Sequence, residues 1–308
     1  MKNLKIVYMG TPEFAVPTLK KLAEEYTVSA VVTAPDKPKG RGKQVLPSEV
    51  KLAALELGLP VLQPESLKSA EFAEEIRQLA PDIIVVVAFR ILPREVYSLA
   101  RLASFNIHGS LLPKYRGAAP INWAIINGDK ATGLTSFILQ DKVDTGNIML
   151  QTSAEIGDTQ TFGELYEFLM AQAPQLACDT IEMIAKGDYP NITQDEAKAT
   201  PAPKIFSNDC RIIWNMPAQS IKNVINGVSP APGAWTMWNG ERLKILRAKC
   251  VNTLGLSAGE YEITKKGFSV QCGSSAIAIL ELQLPGKKRQ DVASFLNGQR
   301  GESKGKME

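Results

Sequence analysis

Apolar runs alternate with amphipathic stretches through the first third of the chain. The amphipathic stretches predict helices over 14–26, 48–57 and 66–79, because apolar side chains recur there at helical spacing. The apolar runs predict strands at Lys5–Met9, Val28–Thr33, Pro60–Leu62 and Ile83–Ala88. The last run is nearly all β-branched, as in strands that a parallel sheet buries on both faces. This alternation predicts an α/β domain with a Rossmann-like, mostly parallel sheet.

The pattern changes in the second half of the chain. A helical stretch over 161–186 closes the α/β domain, and a proline-rich segment without hydrophobic periodicity follows, as is typical of linkers. Beyond it, short alternating segments separated by turns such as Asn239-Gly240 predict a small, OB-like β-barrel, and the tail over 302–308 is expected to be frayed. The predicted organisation is an α/β domain over 1–189, a linker over 190–205 and a β-barrel domain over 206–308.

Composition narrows the class of protein. Hydrophobic residues make up 44% of the chain and charged residues 22%, which is ordinary for a globular protein. No apolar run approaches the length of a membrane span and no signal sequence precedes the first strand, so a cytoplasmic protein without a membrane partner is expected. The four cysteines lie far apart without a C-x-x-C pair, so neither a disulfide framework nor a zinc site is expected.

The charge is unevenly distributed. Residues 206–308 carry 14 Lys and Arg against 8 Asp and Glu, whereas residues 1–205 carry 21 against 24. A basic C-terminal third favours a polyanionic partner, because clustered cations attract phosphates. Solvated surface lysines remain the alternative interpretation.

The only histidine of the chain, His108, lies two residues after Asn106 in a predicted strand. Side chains at this spacing point to the same face. The carboxyl ends of parallel strands, where ligands bind, are also where Gly10, Ala88-Phe89 and Asn106 fall. An amide and an imidazole there can both donate to one developing oxyanion. A core histidine bonded to a backbone carbonyl is the competing interpretation.

A candidate carboxylate, Asp144, follows the apolar segment Leu134–Leu139. A carboxylate beside an imidazole fixes its tautomer and favours the imidazolium. Asp144-Thr145-Gly146 is by itself a common turn sequence, and its spacing from Asn106 and His108 does not establish a pairing.

Several motifs together resemble the folate-dependent formyltransferases, and among them those that act on methionyl-tRNA. The signature runs from Asn106 through His108 and Ser110-Leu111-Leu112-Pro113 to Tyr115-Arg116-Gly117 and Pro120, and Asp144-Thr145-Gly146 matches the acid that follows it. Further matches span nearly the whole chain, at Met9–Ala15, Asp36–Lys43, Pro230–Ala234, Gly286-Lys287 and Phe295–Gly298.

The resemblance implies the chemistry and its residues. Asn106 and His108 would donate to the oxyanion formed when an amine attacks a formyl carbon, with Asp144 orienting His108 and accepting the proton of the amine. The implied co-substrate is 10-formyltetrahydrofolate, with no metal, and the implied partner of the expected monomer is methionyl initiator tRNA. The folate would be held by two segments, Ser110, Leu111, Leu112 and Pro113, and Phe89, Arg90, Ile91 and Leu92.

Cations would hold the tRNA. The loop 37–43 carries four cations among prolines and glycines, for which a mobile, solvated loop is the alternative interpretation. Arg41 is the expected specific contact, since a guanidinium binds phosphates and bases with directed hydrogen bonds. The expected tRNA-binding residues are Lys37, Lys39, Arg41, Lys43, Lys204, Lys287 and Lys288.

Two other classes of function remain open. One is an enzyme on a small substrate, either a formyltransferase for an amino sugar or glycinamide ribonucleotide, or a dinucleotide dehydrogenase. Gly10-Thr11-Pro12 gives the dehydrogenase no G-x-G-x-x-G motif after the first strand. The other is a non-catalytic nucleic-acid-binding protein on an α/β scaffold.

Overall fold

The computed structural model of the chain describes residues 4–39, 44–298 and 303–308. Its backbone contacts divide the chain into two compact units, each assembled from three segments. The first unit comprises Met1–Gly117, Gly133–Ala154 and Glu167–Pro201, and the second comprises Ala118–Thr132, Glu155–Tyr166 and Ala202–Glu308. The division of the chain at 189 and 205 stays a prediction.

Strands and helices alternate in the first half, and strands dominate the second. The strands are β1 (Lys5–Gly10), β2 (Thr27–Val32), β3 (Lys37–Lys39), β4 (Gln44–Leu46), β5 (Val61–Leu62), β6 (Ile83–Val87), β7 (Ala103–His108), β8 (Arg116–Gly117), β9 (Ala131–Ile138), β10 (Ile148–Glu155), β11 (Pro201–Ala202), β12 (Ala234–Trp238), β13 (Glu241–Val251), β14 (Glu260–Thr264), β15 (Gly267–Gln271), β16 (Ala276–Gln283), β17 (Gln290–Asp291) and β18 (Lys304–Lys306). The α-helices are α1 (Val16–Glu25), α2 (Glu49–Glu56), α3 (Ala70–Leu79), α4 (Arg94–Tyr97), α5 (Pro120–Ile126), α6 (Phe162–Lys186), α7 (Ala218–Gly227) and α8 (Val292–Gly298).

The first unit is built on a seven-stranded sheet with the order β10-β9-β7-β6-β1-β2-β5. β5, β2, β1, β6 and β7 are paired in parallel, and β9 joins β7 in the antiparallel sense. Every residue of β6 is buried, as its β-branched sequence predicts. The Rossmann-like, mostly parallel sheet is therefore confirmed.

Helix starts follow capping residues more closely than the apolar pattern suggests. α2 begins after Ser48, whose hydroxyl accepts a hydrogen bond from the backbone N–H of Lys51. α3 begins only at Ala70, rather than at residue 66, because the Ser69 side chain caps it by accepting from the N–H of Phe72.

The second unit contains an antiparallel sheet with the order β12-β13-β16-β15-β14-β18, to which β17 is added beside β16. Its buried side chains form one core in which Trp238, Tyr261, Phe268 and Phe295 contact one another. The hairpin between β12 and β13 turns at Asn239-Gly240, both at positive φ, as such hairpins require. The small C-terminal barrel-type sheet is therefore confirmed.

The frayed C-terminal tail is a wrong prediction for the residues described. Lys304–Lys306 pairs with β14, and Met307 is buried in the core of the second unit. The tail is ordered because its one apolar side chain has a place in that core. None of the helices within the described ranges is long and apolar enough to cross a membrane, and no three potential metal ligands gather there.

Candidate active site

The candidate site lies at the carboxyl end of the parallel strands in the first unit. In β7, Asn106 is paired with Val86 and Ile107 with Val87, so β6 and β7 end side by side. Gly10, the last residue of β1, is paired with Val87 on the other side of β6. The segments that follow these strands therefore leave the sheet at one edge, as the expected position of the site requires.

Asn106 and His108 project from the same face of β7, but their surroundings differ. His108 is only 6% exposed, and its Nε2 is 2.7 Å from the carbonyl oxygen of Tyr115. The Nδ1 of His108 lies 3.7 Å from Oδ2 of Asp144. Both ring nitrogens therefore face oxygen atoms, but only the Tyr115 carbonyl lies within hydrogen-bond distance. Asn106 is half-buried, and its side chain makes no hydrogen bond within the described part of the chain.

The backbone places the Asp144 carboxylate beside the histidine. Asp144 lies between β9 and β10 with φ +54°, a left-handed conformation that aspartate tolerates better than most residues. Its Oδ2 accepts a hydrogen bond of 2.9 Å from the N–H of Gly117. A Cβ on Gly146 would lie 1.6 Å from the carbonyl oxygen of Ile138, so only glycine fits there. The structure thus brings Asp144 to His108, which spacing alone did not establish.

A buried amide that the sequence did not single out holds this loop. Nε2 of Gln194 donates to the carbonyl oxygens of Asp144, at 2.9 Å, and Gly146, at 2.7 Å. Its Oε1 accepts from Nε and Nη2 of Arg116, at 3.1 and 2.8 Å. Arg116 also forms an ion pair with Glu196 and lowers the pKa of that carboxyl group through the shared hydrogen bonds. Gln194 and Glu196 belong to the segment for which a linker is predicted.

The segment Ser110–Pro113 follows β7 directly and is fixed by polar contacts. The Ser110 hydroxyl donates to the carbonyl oxygen of Lys114, and Thr135 donates to the carbonyl oxygen of Ser110. Thr135 also accepts from the N–H of Leu112, and Gln151 donates to the carbonyl oxygen of Leu112. The Ser110 and Leu112 side chains are buried, and Leu112 packs on Phe137 and Ile148. Leu111 is half-buried, as is Pro113, whose bond to Leu112 is cis.

The second expected folate segment, Phe89–Leu92, leaves the sheet after β6. The Arg90 guanidinium lies over the Phe89 ring at 5.4 Å and donates to the carbonyl oxygens of Pro64 and Glu65. Burial lowers the pKa of Arg90. Leu92 is buried in the core, whereas Ile91 is 71% exposed. Of this segment, Ile91 and the partly buried Phe89 and Arg90 are therefore accessible.

Most of the chain matches two protein-family models. Residues 3–181 match the family model described as formyl transferase, and residues 204–300 match the model for the formyl transferase C-terminal domain. The chain belongs to the formyltransferase family. The α/β sheet and the loop with Asp144 fall within the first match in this formyltransferase, and the antiparallel sheet, apart from β18, falls within the second.

Relatives of this formyltransferase match it over nearly all of its length. The methionyl-tRNA formyltransferase of Porphyromonas gingivalis is 46% identical over 310 residues, which cover 96% of each chain. The structure of WlaRD, a sugar 3N-formyl transferase, in the presence of dTDP and 5-N-formyl-THF superposes with a TM-score of 0.70 at 21% identity, covering 92% of this chain and 99% of that one. HypX from Aquifex aeolicus in complex with tetrahydrofolic acid gives a TM-score of 0.64 at 16% identity, covering 96% of this chain and 47% of HypX, so this formyltransferase spans about half the length of HypX.

The cations expected to contact tRNA in this formyltransferase are distributed over both units. Lys37 is exposed on β3, which also contains Lys39, whereas Arg41 and Lys43 lie outside the described residues. Lys287 and Lys288 are exposed in the connection between β16 and β17. The Nζ of Lys204 lies 5.3 Å from the centre of the exposed Phe206 ring. The sequence prediction gave no role to Gln194, whose side chain carries no signal of its own, or to Tyr115, which it named only within the signature and which contacts His108 through its backbone carbonyl.

Proposed function

We propose that this formyltransferase transfers the formyl group of 10-formyltetrahydrofolate to the amino group of methionyl initiator tRNA. The observation that carries the proposal is 46% identity to a methionyl-tRNA formyltransferase over 96% of both chains. Two proteins of the same fold have structures with folates, which supports a folate co-substrate. The basic composition of residues 206–308 supports a polyanionic partner.

The reaction is an acyl transfer between two nitrogen atoms. The neutral amine attacks the formyl carbon, a new C–N bond forms, and the carbonyl oxygen becomes an oxyanion. The bond to the folate nitrogen then breaks, the oxyanion returns to a carbonyl, and the proton lost by the amine balances the one taken up by the leaving nitrogen. In this proposal the protein holds the two reactants in line and stabilises the oxyanion.

Asn106 is the proposed first donor to the oxyanion. Its amide is partly accessible and makes no hydrogen bond to other described residues, so it meets the oxyanion without first losing a partner. His108 is the proposed second donor. Its Nε2 already contacts the carbonyl oxygen of Tyr115, so donation to the oxyanion requires that this bond be exchanged.

Two features support such an exchange. Tyr115 is held at φ +62°, a conformation that is strained for a tyrosine by about 1–3 kcal/mol. Asp144 faces the other ring nitrogen and keeps the imidazole oriented while Nε2 changes partner. Asp144 is also the proposed acceptor, through His108 or a water molecule, of the proton that the amine loses.

The decisive experiment is formylation of methionyl initiator tRNA by the purified protein supplied with 10-formyltetrahydrofolate. Product on the tRNA, with none on amino sugars or glycinamide ribonucleotide, is the expected result. Formylation of a small amine at a higher kcat/KM than the tRNA would replace the proposal with the small-substrate alternative. Folate-independent tRNA binding without transfer would favour the non-catalytic alternative.

A further inference from the structure

Two arginines, Arg211 and Arg242, lie around the indole ring of Trp235 on the outer side of β12. The side chains of β12 alternate, with Ala234, Thr236 and Trp238 buried and Trp235 and Met237 on the outer side. The Arg242 guanidinium lies 3.8 Å from the centre of the Trp235 ring, and that of Arg211 lies 5.6 Å from it. We call Lys204, Phe206, Arg211, Trp235 and Arg242 the Trp235 surface.

Hydrogen bonds and backbone pairing restrict the conformations of the side chains in this surface. The indole N–H of Trp235 donates to the carbonyl oxygen of Ser207 at 2.9 Å, so the ring is held in the segment that carries Phe206. The backbone of Arg211 forms an isolated bridge to Trp235, and Arg242 is directly opposite Met237 in the hairpin. Two guanidinium groups are therefore oriented by one ring before any partner arrives.

The cations of the Trp235 surface lack acidic partners. Lys204, Arg211 and Arg242 have no carboxylate oxygen within 4 Å among the described residues, whereas Arg247 of the same β13 strand pairs with Glu164 and Glu281. Asp209, the acid nearest in sequence to Lys204 and Arg211, instead accepts from the N–H of Phe206 through its Oδ2, and Glu241, next to Arg242, forms no ion pair with it. An arginine that stacks on an aromatic ring keeps its in-plane N–H groups available for a second ligand.

We propose that the Trp235 surface binds the phosphodiester backbone of RNA, with Arg211 and Arg242 as directed phosphate contacts. The inference rests on the proposed function, because it names a surface of this chain for the same tRNA partner. Planar guanidinium groups match phosphate oxygens in pairs, and exposed rings beside cations are a recurrent feature of RNA-binding surfaces. This surface does not include the expected Lys287 and Lys288.

The test compares two double variants of the full chain that remove the same charge. Arg211→Gln/Arg242→Gln changes the Trp235 surface, and Lys265→Gln/Lys266→Gln changes exposed lysines in the turn between β14 and β15. Trp235→Leu is a third variant, which keeps all charges but removes the ring that orients the guanidinium groups. Binding of the initiator tRNA is measured over a series of salt concentrations, and thermal unfolding checks the fold of each variant.

We expect the arginine variant to bind tRNA about 10-fold or more weakly at low salt and to lose about 2 from the slope of log K against log salt. The lysine control should change the affinity and the salt slope much less. The affinity of Trp235→Leu should lie between those of the two double variants. Equal losses in both double variants would overturn the proposal, because the surface would then contribute only diffuse charge. Unchanged binding in a folded arginine variant would overturn it as well.

Failure of the proposed function gives a different result. A wild-type protein that binds tRNA but does not formylate it refutes the proposed function and leaves the comparison of variants intact. If formylation is observed, the arginine variant should keep its kcat at saturating tRNA and lose in KM for tRNA. A fall in kcat alone, with tRNA affinity unchanged, would also overturn the inference.

Discussion

Replacing Gln194 by leucine tests whether the loop that carries Asp144 must be held from outside. The substitution keeps much of the side-chain volume but removes two donated hydrogen bonds, to the carbonyl oxygens of Asp144 and Gly146, and two accepted from Arg116. Gln194 is 6% exposed, so water cannot simply replace it. Leaving a buried polar group without a partner costs about 1–3 kcal/mol, and these groups are coupled, so we expect a loss of about 2–4 kcal/mol in unfolding free energy.

We expect Gln194→Leu to lower kcat in addition to lowering the stability. Asp144 is oriented by the N–H of Gly117 at its carboxylate and by Gln194 at its backbone, so removal of Gln194 leaves one of two restraints. A misplacement of about 1 Å in a catalytic group can cost about 100-fold in rate. We therefore expect kcat to fall about 10- to 100-fold in Gln194→Leu, with the KM for the folate nearly unchanged.

The assay is steady-state formylation at a temperature where thermal unfolding shows each variant to be folded. Glu196→Ala is the matched control, because it removes the exposed ion pair of Arg116 but leaves all four hydrogen bonds of Gln194 in place. Because the Glu196 carboxylate is 73% exposed, the pair should contribute only about 1 kcal/mol, and kcat should stay near the wild-type value. A folded Gln194→Leu protein with normal kcat would show that Asp144 needs no such restraint.

Four further predictions concern single residues. Asn106→Ala should keep the fold and lose about 10²–10³ in kcat, because its amide bonds to nothing else described; near-normal turnover would refute its role as an oxyanion donor. Gly146→Ala should unfold at a lower temperature than the wild type, since its Cβ would meet a backbone carbonyl at 1.6 Å. The hydrogen bond from Lys222 lowers the pKa of Asp158, so this bond stabilises the fold at neutral pH, and the stabilisation is lost as the pH falls through the lowered pKa. Asp158→Asn should therefore be less stable than the wild type at pH 7, and equal stability would contradict this. Arg41→Lys should lose tRNA-dependent kcat/KM by the equivalent of about 1–3 kcal/mol despite the retained charge, and a loss no larger than that of a neighbouring lysine would refute a specific contact.

Local sequence pattern predicted the sheet because burial dictates it directly. The β-branched run of β6 has few other stable environments than the middle of a parallel sheet, and its neighbours in the chain carry the matching helical periodicity. Helix starts were less predictable, since Ser69 moves the start of α3 by satisfying a backbone N–H, a local effect that apolar spacing does not register. The C-terminal strand β18 was missed because a single apolar residue, Met307, decides whether that segment is bound to the core.

In the candidate site, too, local sequence pattern does not predict contacts between residues that are distant in the chain. Asn106 and His108 are two residues apart in one strand, so their common face follows from strand geometry alone. Asp144 reaches His108 only through contacts that span many residues, from Gly117 at its carboxylate and from Gln194 at its backbone. The sequence around Gln194 is proline-rich and has no periodic pattern, so it does not show whether this side chain holds another loop or is solvated. The resemblance to formyltransferases supplied the acid, but not what holds it.

The contacts of His108 also constrain how the site can work. A histidine whose Nε2 is bonded to the Tyr115 carbonyl resembles the core histidine that was the competing interpretation of the sequence. It differs from such a histidine in two ways: its second nitrogen faces a carboxylate held in place by Gly117, and on the same face the Asn106 amide has no hydrogen-bond partner among the described residues. A purely structural histidine needs neither feature. In the proposed mechanism the two interpretations apply to the same residue, because the oxyanion takes the place of the Tyr115 carbonyl at Nε2.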